Sequence, residues 1–284
     1  MHSTFSDGVL SPELLVDEAM NAGLEIMAVT DHDTFAGSDV LRRTETPIPV
    51  IPGVELSISD MHGLHLLGYG LTEGAELRQV VEALAEKRVE RARQILTRLR
   101  ELGMPLDWKM LARKYRGTVG RPHIARAMVH AGYVSRMQEA FDRYLAHGRP
   151  AYVPSERLNM RDALALLRRS GFVSVLAHPY ELQQPEQNLT ALLEKWRGEG
   201  LMGVEVYHPS AAARGWDTLD RMARRMGLLV TGGSDFHQEN DRHGRIGATA
   251  DSWARAEEDM EALMCALNGY VQREKQPGQF RQER

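Results

Sequence analysis

Short apolar runs alternate with amphipathic stretches over the first 75 residues, a pattern typical of strands that alternate with helices. Ser11 followed by Pro12 predicts the start of a helix, and Gly23 predicts its end. The apolar run 26–30 that follows has the length of a buried strand. A second predicted helix comes next. Two further strands, joined by a turn, are predicted at residues 54–59 and 64–69.

The pattern changes between residues 76 and 150, where apolar residues recur at helical spacing and no run resembles a strand. The predicted helices in this stretch are 76–102, 107–115, 121–131 and 136–146. We therefore predict that residues 76–150 form a helical insertion within a discontinuous main domain.

The alternation of helices and strands returns after residue 150. The predicted helices are 160–170, 188–198 and 214–226, and the predicted strands are 172–177, 203–207 and 228–231. This alternation is typical of an α/β protein, with either a parallel sheet covered on both faces or a barrel. The main domain is thus expected to comprise residues 1–75 and 151–270, and the polar residues 271–284 are expected to form a flexible tail.

Composition narrows the class of protein. Hydrophobic residues make up 43% of the 284 residues and charged residues 26%, as in ordinary globular proteins. No apolar run approaches the roughly 20 residues that a membrane-spanning helix needs, and the N-terminus lacks the pattern of a signal peptide. A single cysteine, Cys265, excludes an intrachain disulfide. We therefore expect a cytoplasmic location, no association with membranes and no obligate protein partner.

Charge is distributed unevenly along the chain, although the formal net charge is only −4. Residues 87–126 contain twelve Lys or Arg against three acidic residues. Such a local excess is typical of a surface that faces phosphate groups. It is also compatible with a solvated helical face that carries more basic than acidic residues.

Residues of the metal-binding types recur at the ends of four predicted strands. They are Asp31-His32-Asp33, Glu55, His178, and the pair Asp235 and His237. In barrels and open α/β sheets, sites are built at the C-terminal edge of the strands. Histidine and carboxylate side chains that converge from separate strands suit a divalent cation. Asp235 and His237 are two positions apart, so on an extended segment they point the same way and can serve neighbouring ions.

Each of these residues also has a structural interpretation. A histidine beside a proline, such as His178, is commonly structural. Asp-His-Asp is compatible with a turn that caps a helix, and Gly-Gly-Ser-Asp with an Asx turn. These interpretations are credible one at a time. Recurrence at four strand ends favours a metal site.

Six motifs resemble the polymerase and histidinol phosphatase (PHP) family and occur in that family's order. They are His2-Ser3-Thr4-Phe5-Ser6-Asp7-Gly8, Thr30-Asp31-His32-Asp33-Thr34, Pro52-Gly53-Val54-Glu55, His65-Leu66-Leu67-Gly68-Tyr69, Ala177-His178-Pro179 and Gly233-Ser234-Asp235-Phe236-His237. The resemblance implies a distorted, TIM-like (β/α)7 barrel with a trinuclear metal site. The helical insertion with Gly120-Arg121-Pro122-His123 looks like the branch that contains nucleoside 3′,5′-bisphosphate phosphatases and 5′-to-3′ exoribonucleases of the RNase AM type.

The resemblance also implies roles for the matching residues. The implied ligands are His2 and Asp235 for a first metal with Glu55 bridging, Asp7, His32 and His237 for a second, and Glu55, His65 and His178 for a third. Arg121 and His123, from an insertion that would cap the active site, are implied to bind phosphate and assist catalysis. Asp31 and Asp33 are candidates for the catalytic acid by position, and His208, at a strand end near the pocket rim, is a candidate substrate contact. Two or three divalent ions are expected, with Mn²⁺ favoured and Fe²⁺, Zn²⁺ or Mg²⁺ as alternatives.

The chain departs from the family's pattern at its start. Family members open with Asp-Leu-His-x-His, whereas Met1-His2 supplies only the second histidine. Either the given start lies too late, or the protein lacks that ligand and holds its first metal weakly. The first explanation is favoured because loss of a barrel strand would expose neighbouring strand edges.

The function implied by the resemblance is metal-dependent hydrolysis of nucleotide phosphate esters. The expected substrates are the 3′-phosphate of nucleoside 3′,5′-bisphosphates (conversion of pAp to AMP), short RNA attacked from its 5′ end, or both. A histidinol-phosphatase-like enzyme for small monoesters is the alternative enzyme, and the basic insertion argues against it. A non-catalytic, degenerate PHP domain is the alternative outside enzymes. The missing histidine favours it, and the competent residues at the other ligand positions argue against it.

Overall fold

The computed structural model describes residues 1–115, 119–211, 213–238 and 244–275. Six strands form one curled, mixed sheet in the order in which they occur along the chain. They are β1 (Met27–Val29), β2 (Val50–Ser57), β3 (His65–Tyr69), β4 (Val173–Leu176), β5 (Gly203–Tyr207) and β6 (Leu229–Gly232). The parallel pairing expected of strands that alternate with helices is confirmed for β1–β2, β4–β5 and β5–β6, whereas β3 is antiparallel to both of its neighbours. The tight turn predicted between β2 and β3 reverses the chain and so imposes this direction.

Helices cover the outer face of the sheet and build the insertion. They are α1 (Pro12–Asn21), α2 (Ala36–Arg42), α3 (Ala75–Glu101), α4 (Trp108–Lys114), α5 (Arg121–His130), α6 (Met137–Ala140, continued by a π-helix at Phe141–Leu145), α7 (Met160–Arg169), α8 (Glu186–Glu199), α9 (Ala213–Arg225) and α10 (Ala256–Lys275). The helices predicted from the sequence are confirmed to within about two residues at each end. Helix α10 was not predicted. It includes residues 271–275, so the expected flexible tail is wrong there, and residues 276–284 lie outside the described part of the chain.

The inner face of the curled sheet carries one buried carboxylate above an apolar floor. Glu55 on β2 pairs in register with Leu67 on β3, which pairs in turn with Val175 on β4. Side chains alternate between the two faces of a strand, so these three share the inner face. Leu263 and Leu267 of α10 pack against the same apolar residues from below. Helix α10 thereby closes the base of the sheet under Glu55.

The sheet curls without closing. Within the described residues, β1 pairs only with β2 and β6 pairs only with β5, so both have an unpaired edge there. A cavity of about 360 Å³ lies at this gap, lined by Met27 and Ala28 of β1, Thr231 and Gly232 of β6, and Leu263 of α10. The described residues thus form a six-stranded half-barrel, and the seven-stranded barrel expected from the resemblance is not confirmed.

The insertion has an apolar core of its own. Helix α3 spans both parts of the molecule because Leu77, in its first turn, belongs to the core against the sheet, whereas Ile95 and Leu99 belong to the core of the insertion. Ile124 and Met128 of α5 are buried in that second core. The insertion is therefore held together by its own packing as well as by its attachment to the sheet.

None of the helices in the described part of the chain is both long and apolar enough to cross a membrane.

Replacing Ile124 by alanine tests whether the core of the insertion is well packed. Ile124 is fully buried, so Ile124→Ala removes contacts and leaves a cavity. We expect the free energy of unfolding to fall by about 2–5 kcal/mol, measured by urea denaturation followed by circular dichroism. Met110→Ala is the matched control because Met110 is 69% exposed, and it should change stability by less than about 0.5 kcal/mol. Equal effects of the two substitutions would contradict a packed second core.

Candidate metal centre

The loop at residues 2–9 is tied to the segment that follows β6. The backbone N–H of His2 donates to the carbonyl of Phe236 (2.9 Å), and the N–H of Val9 donates to the carbonyl of His237 (2.9 Å). Thr30, at the end of β1, donates its N–H to the carbonyl of Met1 (2.9 Å). These bonds bring His2, from one end of the chain, beside the residues that follow the last strand.

Four strand ends meet at one edge of the sheet. Because β3 is antiparallel, His65 at its start lies at the same edge as the ends of β2 and β4. Ala177, directly before His178, donates its N–H to the carbonyl of His65 (3.3 Å). His32, just beyond β1, forms an isolated parallel bridge with Glu55. The sheet therefore delivers these side chains to one place.

Eight side chains converge at this edge and form what we call the histidine–carboxylate cluster. Its members are His2, Asp7, His32, Glu55, His65, His178, Asp235 and His237. All eight were predicted from the sequence resemblance as ligands, and the structure brings all eight together.

Glu55 lies at the centre of the cluster. Its Oε2 is 2.9 Å from Nε2 of His2 and 3.5 Å from Nδ1 of His32. Its Oε1 is 2.9 Å from Nδ1 of His65 and 3.0 Å from Nε2 of His178. One carboxylate thus touches two pairs of histidines, one pair through each oxygen.

Two further carboxylates complete the cluster on the side away from His65. Oδ1 of Asp235 is 2.8 Å from Nε2 of His2. Oδ1 of Asp7 is 3.1 Å from Nε2 of His237 and 3.9 Å from Nε2 of His32. The rings of His2 and His237 stack at 4.2 Å. Two groups of these side chains have their metal-binding atoms within 4.8 Å of one another. One group is His2, Glu55 and Asp235, and the other is His2, Asp7, His32 and His237.

Burial and pairing act in opposite directions on the charges of the cluster. Burial disfavours the charged ring of His2, but hydrogen bonds to Asp235 and Glu55 outweigh it and raise the pKa of His2 to about 10. The same competition, through Glu55, raises the pKa of His178 to about 9. His32 responds mainly to burial, which lowers its pKa to about 3. The pKa of Glu55 is held well below its usual range, because His32 and His65 outweigh the effect of burial.

Strained backbone marks the same strand ends. Asp33, His178 and Asp235 have φ angles of 49°, 28° and 46°, in a region that side chains other than glycine rarely occupy. Each follows a strand and lies within one residue of a cluster member or is itself one. Residues held in such conformations collect at functional sites, where the surrounding structure maintains the strain.

The donor set suits divalent cations. Nδ1 of His32 and Nδ1 of His178 are buried without a hydrogen-bond partner among the described residues. Buried polar atoms without partners are rare unless an ion or ligand satisfies them. Five imidazoles and three carboxylates are the ligand types that zinc, manganese and iron accept. The residues present therefore fit a centre for divalent metal ions.

Arg121 and His123 lie in the first turn of α5. Nδ1 of His123 accepts a hydrogen bond from the N–H of Gly120 (3.0 Å), so its proton resides on Nε2, which is buried and has no partner among the described residues. Burial lowers the pKa of His123 to about 4, and Asp7 is near enough to oppose that effect. His123 is therefore a neutral donor near the cluster. Arg121 donates from Nη1 to the carbonyl of Leu145 (3.3 Å), and its guanidinium carbon lies 5.9 Å from the ring centre of Phe141 and 5.8 Å from that of Tyr152.

Two other predicted site residues lie behind the cluster. Asp31 is buried and accepts hydrogen bonds from the N–H and hydroxyl of Ser3 (2.7 Å each) and from the hydroxyl of Ser6 (2.6 Å), which fixes the loop that carries His2. His208, expected near the pocket rim, is buried, and its ring lies 5.7 Å from that of His178. Catalytic and substrate-binding roles for Asp31 and His208 stay predictions.

Sequence reasoning missed several residues that support the cluster. Ser3 and Ser6 anchor Asp31, and nothing in a lone serine signals such a role. Asp33 accepts hydrogen bonds from the backbone N–H (2.8 Å) and hydroxyl (2.9 Å) of Ser57 and pairs with Arg88. The excess of basic residues at 87–126 was the available signal for Arg88, but it did not single out that residue.

Comparisons with known proteins agree with this geometry. No family model matches the chain. The chain is similar to the 5′-3′ exoribonuclease Rnm of Salmonella typhimurium, with 32% identity over 84% of the chain and 83% of that protein. It is also similar to the 3′,5′-nucleoside bisphosphate phosphatase of Chromobacterium violaceum, with 31% identity over 88% of the chain and 90% of that protein. A solved structure of a metal-dependent phosphoesterase from Bifidobacterium adolescentis superposes with a TM-score of 0.78 at 28% identity, covering 93% of this chain and 94% of that one.

Replacing Gly8 by alanine tests whether the loop at residues 2–9 positions the cluster. A Cβ at Gly8 would lie 2.0 Å from the carbonyl oxygen of His2, so the loop must shift. We expect Gly8→Ala to weaken Mn²⁺ binding by about tenfold or more, measured by isothermal titration calorimetry. The control is Gly198→Ala, since a Cβ at Gly198 meets no atom within 4 Å. Unchanged Mn²⁺ affinity in Gly8→Ala would show that the position of His2 does not matter for metal binding.

Proposed function

The chain belongs to the PHP family of metal-dependent phosphoesterases, and we propose that it hydrolyses the 3′-phosphate of nucleoside 3′,5′-bisphosphates and also degrades short RNA from the 5′ end. The observation that carries this proposal is the histidine–carboxylate cluster centred on Glu55, with Arg121 and His123 of the insertion beside it. The names of the two relatives described above support the choice of substrates. Both activities act on a phosphate ester of a nucleotide, so one site can serve both.

The proposed ligands follow the groups in the cluster. His2 and Asp235 with Glu55 would hold one ion, Asp7, His32 and His237 a second, and Glu55, His65 and His178 a third. Mn²⁺ is the proposed ion, because both imidazole and carboxylate oxygen are acceptable to it. When bound, the ions supply the Lewis-acid chemistry that activates water and offsets charge on the phosphoryl oxygens.

The insertion contributes donors for the phosphate that is cleaved. The planar guanidinium of Arg121 can bind two phosphoryl oxygens at once. Nε2–H of His123, which is buried and lacks a partner among the described residues, donates to a third oxygen without carrying charge of its own at neutral pH. Together they would hold the phosphoryl group against the cluster and stabilise the negative charge that develops on it.

The two alternatives differ from this proposal in specific ways. A histidinol-phosphatase-like enzyme would not need the extended basic surface of the insertion. A degenerate, non-catalytic domain would not need eight side chains that converge with ligand geometry. We also propose the distorted (β/α)7 barrel as the architecture of the complete site, because the unpaired edges of β1 and β6 face one apolar cavity.

Phosphate release from adenosine 3′,5′-bisphosphate tests the proposed function. With Mn²⁺ we expect release of one phosphate and formation of 5′-AMP, and a chelator should abolish both. His32→Ala should lower turnover by at least about 100-fold with little loss of stability, because it removes a ligand from the metal centre without disturbing the core. His62→Ala is the control, since His62 is exposed and lies in the turn before β3.

Full activity of His32→Ala would contradict the metal assignment. No release by the unaltered chain would contradict the proposed reaction for this chain. Repeating the assay with an N-terminal extension that carries Asp-Leu-His would then separate an incomplete metal centre from a domain that binds without catalysis.

Removal of Arg121 tests the contribution of the insertion. Arg121→Ala should lower kcat/KM for adenosine 3′,5′-bisphosphate by about 10- to 100-fold while bound metal, measured by inductively coupled plasma mass spectrometry, stays constant. Arg136→Ala is the control, because Arg136 lies on the exposed surface of the same insertion. Unchanged kcat and KM in Arg121→Ala would contradict a role for α5 in phosphate binding.

A further inference from the structure

Glu205 is a second buried carboxylate on the sheet, outside the histidine–carboxylate cluster. It lies on β5 and is 5% exposed. Gly203, two residues before it, pairs in register with Val175, which shares the inner face of the sheet with Glu55. Because side chains alternate between the two faces of a strand, Glu205 lies on that inner face as well. Strand β5 lies between β4 and β6, and the segments that follow both of these neighbours carry members of the cluster.

One oxygen of Glu205 holds the segment that follows β4. Its Oε2 accepts a hydrogen bond from the backbone N–H of His178 (2.9 Å). His178 has a φ of 28° and a ψ of 58°, a conformation that persists only where the surrounding structure maintains it. The imidazole extends from that backbone to Glu55, with Nε2 of His178 3.0 Å from Oε1. The hydrogen bond to Glu205 therefore fixes the point from which His178 reaches the cluster.

The other oxygen of Glu205 lies against the segment that follows β6. A Cβ at Gly233 would lie 2.0 Å from Oε1 of Glu205, and the three nearest atoms of other segments all belong to Glu205. The N–H of Gly233 donates to the carbonyl of Tyr207 (3.0 Å), which holds Gly233 beside β5. Asp235 follows two residues later, and its Oδ1 is 2.8 Å from Nε2 of His2. The lack of a side chain at Gly233 thus lets the chain pass the carboxylate on its way to Asp235.

Glu205 acts on the cluster without belonging to it. None of the groups of metal-binding side chains found among the described residues includes Glu205. Its two oxygens instead contact the backbone of two segments, and these segments carry ligands of different proposed ions. His178 is a proposed ligand of the third ion and Asp235 of the first. A displacement of the one carboxylate would therefore shift ligands of two ions.

We propose that Glu205 is a positioning residue of the metal centre, which holds the backbone at His178 and at Gly233 so that His178 and Asp235 both reach the bound ions. This inference rests on the proposed function for the assignment of ligands to ions. The contacts are one hydrogen bond and close packing. An amide in place of the carboxylate can maintain both contacts, whereas a methyl group can maintain neither.

Binding of Mn²⁺, measured by isothermal titration calorimetry, tests this role. Glu205→Ala should weaken Mn²⁺ binding by about 10- to 100-fold, the range expected when a residue that orients metal ligands is lost. Glu205→Gln keeps an oxygen that can accept from His178, so its affinity should stay within about threefold of that of the unaltered chain. The control is Ser174→Ala, because Ser174 is buried on β4 and also accepts a backbone N–H, that of Met202 (3.2 Å). It should lower the melting temperature and leave the Mn²⁺ affinity unchanged.

Gly233→Ala disturbs the same contact from the other side and leaves Glu205 in the chain. Its Cβ would displace the carboxylate, so it should weaken Mn²⁺ binding to an extent similar to that of Glu205→Ala. Glu205→Ala removes the atoms that this Cβ would meet. Adding Gly233→Ala to Glu205→Ala should therefore weaken Mn²⁺ binding by less than about a further twofold, whereas independent damage at two places would give additive losses.

Unchanged Mn²⁺ affinity in Glu205→Ala or in Gly233→Ala would overturn the proposal, and so would additive losses or a loss in Glu205→Gln as large as that in Glu205→Ala. If Glu205→Ala does not fold, Gly233→Ala and Glu205→Gln decide. Phosphate release is measured separately. An unaltered chain that binds Mn²⁺ but releases no phosphate overturns the proposed reaction, and the Mn²⁺ titrations still decide the role of Glu205. An unaltered chain that binds no Mn²⁺ overturns both.

Discussion

The negative charge of a carboxylate buried on the inner face of a sheet must be balanced by nearby donors or cations. Glu55 is such a carboxylate, and the segments that surround it are arranged to pair with it. Glu55 is 1% exposed, and an unpaired charge at such a position would cost several kcal/mol. Four histidines compensate it, and they come from the N-terminal loop, the end of β1, the start of β3 and the end of β4. A slip of one residue in the register of β2 would turn Glu55 towards the outer apolar core, so the register and the site depend on each other.

The insertion adds charge of the opposite sign. The sheet edge collects carboxylates and imidazoles, whereas the insertion and the segment that follows it collect guanidinium groups. Among the described residues, the two sets meet at one ion pair, between Asp33 and Arg88. A phosphate ester is complementary to both sides, because its oxygens can bind both metal ions and arginines while its phosphorus faces the metal centre. Under the proposed function, the insertion side would supply the contacts that distinguish nucleotides from small monoesters, and the sheet side would supply the metal ligands.

Much of the fold and of the metal centre could be predicted because the relevant signals are local. The strands are short apolar runs and the helices have clear periodicity. Predicted strand ends carry His32, Glu55, His178, Asp235 and His237, whereas the family resemblance alone pointed to His2, Asp7 and His65. The burial of His208 and the anchoring of Asp31 by Ser3 and Ser6 depend on contacts between distant segments, which periodicity does not reveal. Helix α10 was missed because its apolar residues cover the base of the sheet. That base exists only once the sheet has curled, which is a tertiary property that the sequence pattern does not show.

The position of the insertion in the chain has a consequence for folding. Strands β3 and β4 are neighbours at the centre of the sheet, yet residues 70–172 separate them along the chain. Closing a loop of that length is entropically costly if the loop is unstructured. The insertion has its own apolar core, and the Ile58–Leu158 bridge joins the segment that follows it to the end of β2. Folding of these helices before the sheet would shorten the loop that the β3–β4 pairing must close, and would thereby speed formation of the sheet.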